Sequence, residues 1–134
     1  MSAFADTSGL YALIVRTDDC HEAATREFRR LVEAPRPIWT TSYVLVETEA
    51  LLQNRVGIAA LRDLEGKILP LLNVEWVGKE LHARGVARIV REDRRRLGLV
   101  DCVSFEFMRT EGLRDVLGAD PHFEEAGFRL LLRN

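Results

Sequence analysis

The stretch Ala3-Phe4-Ala5-Asp6-Thr7-Ser8-Gly9-Leu10-Tyr11-Ala12-Leu13-Ile14 changes its period in the middle. Residues 2–6 read as a short buried strand, and residues 8–15 as a helix that follows it directly. A strand running straight into a helix opens a βα unit, and open α/β sheets place their chemistry in the crevice beyond the strand's carboxyl end. Asp6 stands at that junction. Its ordinary role would be to cap the helix, since Asp is a favoured cap residue. Thr7 and Ser8 can cap as well, so the helix does not need Asp6 for that purpose.

The same alternation continues outward. Asp18-Asp19-Cys20-His21-Glu22 offers capping acids before a helix carrying Ala23, Ala24, Phe28, Leu31 and Val32, which Pro35 and Pro37 end. Residues 37–41 predict a strand, with a Thr/Ser cap signal leading into Tyr43-Val44-Leu45-Val46-Glu47. Residues 55–72 predict a helix loosened by Gly57 and Gly66 and stopped near Pro70. Val74-Glu75-Trp76-Val77 alternates like a strand, residues 79–96 predict a long charged helix, and residues 100–109 an apolar one after the break at Gly98. The last strands fall at 113–117 and 128–132, with a helical turn at 121–126 between them. Trp39 and Trp76 both lie in strand readings and are expected in the core. Strands alternating with helices predict an α/β fold, a parallel sheet with helices on both faces, in a single unit over residues 1–134.

Composition narrows the class. A chain of 134 residues, 47% hydrophobic and 30% charged, can bury a core and is not disordered. A net charge of -2 argues against a protein that coats nucleic acid, while leaving room for a local basic patch beside an acidic pocket. The two cysteines, Cys20 and Cys102, form no CxxC pair, which suits a reducing, cytoplasmic interior. No apolar run is long enough to span a bilayer, so no membrane association is expected.

Three further acids stand at places comparable to Asp6. Glu47 has Tyr43, Val44, Ala50 and Leu51 as its helical neighbours, although Glu49 is similarly flanked and both can reach water from a helix edge. Asp101 falls in the first turn of an apolar helix, where an acid complements the dipole. Asp120 precedes Pro121, an ordinary helix start. Each has a structural explanation when taken alone. Together they follow strands or breaks, and a parallel sheet can gather such positions at one end. Gathered carboxylates repel unless neutralised, and Mg²⁺ or Mn²⁺ is the usual neutraliser for oxygen ligands. His21, His82 and His122 are scattered and lack zinc-like spacing. An acid cluster with Mg²⁺ suits phosphodiester hydrolysis.

Several segments in order carry a resemblance: Phe4-Ala5-Asp6-Thr7-Ser8-Gly9-Leu10-Tyr11-Ala12-Leu13, His21-Glu22-Ala23-Ala24, Thr41-Ser42-Tyr43-Val44-Leu45-Val46-Glu47-Thr48, Leu99-Val100-Asp101-Cys102-Val103-Ser104-Phe105, Asp120-Pro121-His122-Phe123 and Ala126-Gly127-Phe128. Over essentially its whole length the chain resembles the PIN domain family, most closely the VapC-type toxins of bacterial toxin–antitoxin systems. The resemblance implies a three-layer α/β/α sandwich around a central parallel sheet and a metal-dependent ribonuclease. It places the family's acids on Asp6, Glu47, Asp101 and Asp120 as catalytic residues and ligands of Mg²⁺ or Mn²⁺, and on Thr7 the small hydroxyl that supports the first acid, Asp6. One departure stands out. The segment before the fourth acid commonly carries a hydroxyl and an aromatic residue, and here it reads Gly118-Ala119, with Pro121 in place of a polar or basic residue.

A ribonuclease needs cations at the rim of such a cluster. Arg84, Arg88, Arg91 and Arg95 form one stripe of the predicted 79–96 helix, and one or two of them are expected to touch RNA; the interleaved Glu80, Glu92 and Asp93 make the stripe as a whole a solvated, ion-paired face. Leu61, Leu64, Ile68 and Leu69 give residues 55–72 an apolar side, and the resemblance implies that this region forms a homodimer and the groove for a VapB-like antitoxin. Two rivals remain. A phosphatase of the haloacid dehalogenase type also opens with a strand-end aspartate, but it requires a second acid where Ser8 stands. A degenerate PIN domain would bind RNA or protein without cutting, and four intact acids speak against it.

Overall fold

The computed structural model describes residues 2–133. In chain order the elements are β1 (Ala3–Ala5), α1 (Thr7–Ile14), α2 (His21–Glu33), β2 (Ile38–Thr41), α3 (Ser42–Arg55), α4 (Ile58–Asp63), β3 (Asn73–Glu75), α5 (Lys79–Glu92), α6 (Leu99–Glu111), β4 (Asp115–Leu117), α7 (Pro121–Glu125) and β5 (Arg129–Leu130). The strands form one sheet in the order β3-β2-β1-β4-β5 with every pairing parallel. The architecture is the expected three-layer α/β/α sandwich.

The strand order defines where a site can lie. From β1 the chain moves to β2 and β3 on one side, then returns to β4 and β5 on the other. The connections leaving β1 and β4 therefore part, opening a crevice beyond their carboxyl ends. β1 is completely buried, and Phe4 stacks at an angle on Phe107 and Phe123 with ring centroids 6.0 and 6.3 Å apart. Such a strand, apolar on both faces, is what a central parallel position demands.

At the crevice α1 approaches β4 so closely that only glycine fits. A Cβ at Gly9 would stand 2.0 Å from the Leu117 carbonyl oxygen, a backbone atom that cannot swing aside. The β1–β4 pairing extends into this point through the Asp6 amide, which donates to the same carbonyl at 3.1 Å.

Four expectations are corrected. Residues 55–72 are not one helix: α3 runs on through Arg55, Gly57 breaks the chain with φ 128°, and α4 passes into a π-turn at Leu64–Ile68 and a 3₁₀ turn at Leu69–Leu71. Leu64 is wholly buried there, in a secondary core with Leu45, Leu52 and Ala60, against which Ile68 and Leu69 pack. The charged helix ends at Glu92, where Asp93 takes a left-handed conformation, so Arg95 lies beyond it in the turn before α6. Trp76 is 70% exposed, because β3 is the outer strand of the sheet and stops at Glu75. Trp39 does pack against the core, with its ring 5.8 Å from that of Phe107.

Arg88 is the fourth correction. It is 5% exposed, its guanidinium donates to Glu106 at 2.9 Å, and it lies over the Phe105 ring at 4.9 Å. An arginine committed in this way ties α5 to α6 and is withdrawn from any RNA-facing stripe. Arg84, Arg91 and Arg95 remain exposed.

The Gly9 contact yields a direct expectation. Gly9→Ala should destabilise the protein by about 3 kcal/mol or more, since the obstructing atom is backbone. Equilibrium denaturation in urea checks this. Ala12→Gly in the same helix, which opens space instead of filling it, should cost only about 1 kcal/mol for the backbone plus the lost buried methyl.

Candidate active site

Asp6, Glu47, Asp101 and Asp120 line one cleft of about 470 Å³, together with Thr7, Ser8, Tyr11, Asp18, Asp19, Cys20, Leu51, Arg55 and Ala119. The convergence expected from their separate positions is present, and each acid arrives from a different element.

Asp6 occupies the position before α1 in extended conformation, φ -95° and ψ 164°, and its side chain makes no capping bond. Its carboxylate is instead turned to the cleft, 4% exposed, accepting from the Ser8 hydroxyl at 3.0 Å. The Ser8 oxygen in turn accepts from the Ala119 amide at 3.0 Å. One hydroxyl thus couples the acid to the segment after β4. The Gly118-Ala119 departure has its physical reason here: a Cβ at Gly118 would come 3.0 Å from Ser8 Oγ and 3.1 Å from Asp6 Cβ. Ser8 thus fills the space beside Gly118.

Glu47 comes from α3, whose start is capped by Thr41, the oxygen of which accepts from the Val44 amide at 3.2 Å. The Thr7 hydroxyl donates to Glu47 Oε1 at 2.8 Å and accepts from Thr48 at 3.1 Å. The expectation that the Thr7 side chain supports Asp6 is therefore corrected: its hydroxyl serves Glu47, and only its backbone favours the Asp6 carboxylate. Asp101 sits in the first turn of α6. Asp120 caps α7, accepting from the His122 amide at 3.0 Å, so it is both cap and cleft acid.

Electrostatics make this a strained group of charges. Burial, and then the neighbouring Asp101, push the Asp6 carboxyl from 3.8 up to about 7. Burial and Asp120 push Asp101 up to about 6. Removing a carboxylate from water costs heavily unless a counter-charge arrives.

Beyond Asp18 and Asp19, which the sequence presents only as capping acids, Arg55 and His122 stand out in the cleft region. Arg55 lines the cleft, and its signal was the row Glu47, Leu51, Arg55 at successive i+4 positions of α3. His122, which lacks zinc-like spacing to the other histidines, nonetheless meets the acids. Its Nδ1 lies 3.2 Å from Asp120 Oδ1 and 3.7 Å from Asp101 Oδ2, and the three residues offer donor atoms within 4.8 Å of one another. Its signal was adjacency to Asp120 in a fixed turn.

The PIN domain profile matches residues 3–129. The chain belongs to the PIN domain family. A curated relative, the 23S rRNA-specific endonuclease VapC20 of Mycobacterium tuberculosis, is 33% identical over 126 residues, covering 93% of this PIN domain and 94% of the relative. The crystal structure of Mycobacterium tuberculosis VapC20, described as a sarcin–ricin loop cleaving toxin, superposes with a TM-score of 0.82 at 32% identity, covering 94% of this chain and 95% of that one. VapBC2 from Rickettsia felis, solved with a DNA fragment from its promoter, matches at a TM-score of 0.71 and 13% identity over 97% of both chains, a likeness of fold. Among the described residues of this PIN domain no helix is long and apolar enough to cross a membrane.

The raised Asp6 value sets a pH dependence for the metal-free protein. The protonated acid suits its buried place, so its contribution to stability is fully present below about 3.8 and is lost as pH rises to about 7. With a chelator present, lowering the pH from 8 to 6 should raise the melting temperature. Asp6→Asn, which still accepts from Ser8, should raise the melting temperature at pH 8 by several degrees and flatten the dependence across this range. Calorimetry in EDTA measures both.

Proposed function

We propose that this PIN domain, a single unit over residues 1–134, is a metal-dependent endoribonuclease and the toxin of a type II toxin–antitoxin pair. The observation that carries the reading is the convergence of Asp6, Glu47, Asp101 and Asp120 in one cleft at the β1/β4 switch point. The fit to a divalent cation rests on the donor set. Buried carboxylates whose ionisation is opposed by burial and by one another are relieved by a cation, and their hard oxygens suit Mg²⁺ or Mn²⁺. Asp6, Glu47, Asp101 and Asp120 would hold it. When bound, such an ion polarises the phosphodiester and acidifies the attacking water.

The chain's own residues do the rest. Ser8 fixes Asp6, Thr7 fixes Glu47, and the α7 start fixes Asp120. Arg55 supplies a cation inside the cleft for the RNA backbone. Of the arginines expected to meet RNA, Arg84, Arg91 and Arg95 are the exposed ones; none lines the cleft, and Arg95 lies in the turn leading into the helix of Asp101. Ribosomal RNA of the large subunit is the first substrate to test, given the activity named for the relative at 33% identity.

The partner surface rests on exposure. Val46 is 60% and Ile58 52% exposed, on α3 and α4, with Val56 between them in sequence. Such apolar residues on adjoining helices suit a homodimer and a VapB-like antitoxin. The phosphatase reading has no second acid, since Ser8 spends its hydroxyl on Asp6. A non-cutting PIN domain finds no lost acid to support it.

Asp6→Asn and Asp101→Asn should each lower RNA cleavage by roughly 100-fold or more, and EDTA should abolish cleavage with restoration by Mg²⁺ or Mn²⁺. Cleavage of purified ribosomes, followed by primer extension, tests this; wild-type activity retained in either variant would refute it. Val46→Asp with Ile58→Asp should shift the protein from dimer to monomer in sedimentation velocity.

A further inference from the structure

Within the metal-site reading above, we infer that His122 is a nitrogen ligand of the cation, so that the centre is a mixed carboxylate–imidazole site and favours Mn²⁺ over Mg²⁺.

The first observation is an orphaned atom. Nδ1 of His122 is inaccessible to solvent and makes no hydrogen bond with any described residue. It lies 3.2 Å from Asp120 Oδ1, out of line for a hydrogen bond, and 3.7 Å from Asp101 Oδ2. The other two histidines differ: His21 Nδ1 is paired with the Ala12 carbonyl at 2.7 Å, and His82 Nδ1 with the Tyr43 hydroxyl at 2.7 Å. A buried ring nitrogen without a hydrogen bond, set between two carboxylates, has an unmet demand that a cation among the acids meets.

The second observation is spacing. In an octahedral site with bonds of about 2.1 Å, adjacent ligand atoms stand about 3 Å apart. The separations from Nδ1 to the two carboxylate oxygens approach this value, and all three donors lie within 4.8 Å of one another.

The third is preorganisation. Pro121 fixes the backbone at the first position of α7, and Asp120 accepts from the His122 amide. On the other side Phe123 is fully buried, with its ring 4.9 Å from that of Phe105. The imidazole is therefore mounted between a rigid turn and an aromatic anchor, which is how a ligand is held for a metal. Pro121, where the family commonly has a polar or basic residue, contributes to this rigidity. Coordination through Nδ1 requires the proton on Nε2. Imidazole is a better ligand for Mn²⁺ than for Mg²⁺, which prefers oxygen and water.

Pulsed electron paramagnetic resonance of the Mn²⁺-loaded full-length protein reads this directly. The expected result is modulation from a directly bound ¹⁴N nucleus. It should convert to a ¹⁵N signal when only the histidines are ¹⁵N-labelled, and it should disappear in His122→Leu. Titration calorimetry should show Mn²⁺ affinity falling at least about 10-fold in His122→Asn, with Mg²⁺ affinity changing much less. Tight Mn²⁺ binding with no nitrogen coupling would overturn the assignment and leave the carboxylate site standing. Failure of the wild type to bind Mn²⁺ at all would overturn both. The labelling experiment needs no substitution, so a variant that folds poorly does not decide the outcome.

Discussion

Asp6 is a carboxylate held where it cannot ionise comfortably. It sits at the end of a fully buried strand, with Asp101 and Asp120 close enough to oppose its charge. Much of the local structure exists to keep it there. The β1–β4 pairing places its backbone, with the Asp6 amide on the Leu117 carbonyl. Gly9 lets α1 press against that same carbonyl, and Gly118 leaves room for Ser8 to hold the carboxylate. Loosening either glycine contact would move the acid away from its partners. Close packing and a costly charge are thus two aspects of one arrangement.

That cost gives the cation a second role in the proposed reading. A site that destabilises its own fold when ionised and empty is stabilised by whatever neutralises it, so binding and folding are linked. The linkage is fully developed above about pH 7, where Asp6 and Asp101 both ionise against burial and each other. Glu47 differs. It is exposed at the cleft edge and held by Thr7, so it joins the group through a hydrogen bond and not through burial.

The four acids each had an ordinary local reading and stood out only through their shared placement and the family resemblance. The parallel sheet and the order of its elements, by contrast, were legible in the sequence because local signals agreed with the fold. The apolar run Ala3-Phe4-Ala5, the cap at Thr41 and the break at Gly98 mean the same thing locally and globally. Where the reading failed, the deciding contact was tertiary. Nothing near Arg88 in sequence announces Glu106 and Phe105, which come from the next helix. Trp76 reads as strand, and only the sheet order makes β3 an outer strand ending before it. Residues 55–72 have helical periodicity, but Gly57 and Pro70 divide them into turns of three different pitches. His122 was missed for another reason: spacing rules built for zinc do not recognise an imidazole that joins acids brought from other elements.

Helix α3 connects the two surfaces that the proposed function requires. Glu47, Leu51 and Arg55 form a row at i+4 spacing that lines the cleft, while Val46, the residue beside Glu47, is exposed to solvent. A helix turns about 100° per residue, so adjacent positions face neighbouring directions on one rigid rod. A partner that covers Val46 therefore lies against the wall of the acidic cleft, within a side chain's length of Glu47. An antitoxin segment carrying a basic residue past Val46 would find the acids as its counter-charges. It would then compete with the cation for the same carboxylates, and without the cation the RNA phosphate has nothing among the acids to bind. Inhibition needs no movement of the sheet under this geometry. It needs only that the apolar surface and the cleft share a helix, and α3 supplies that.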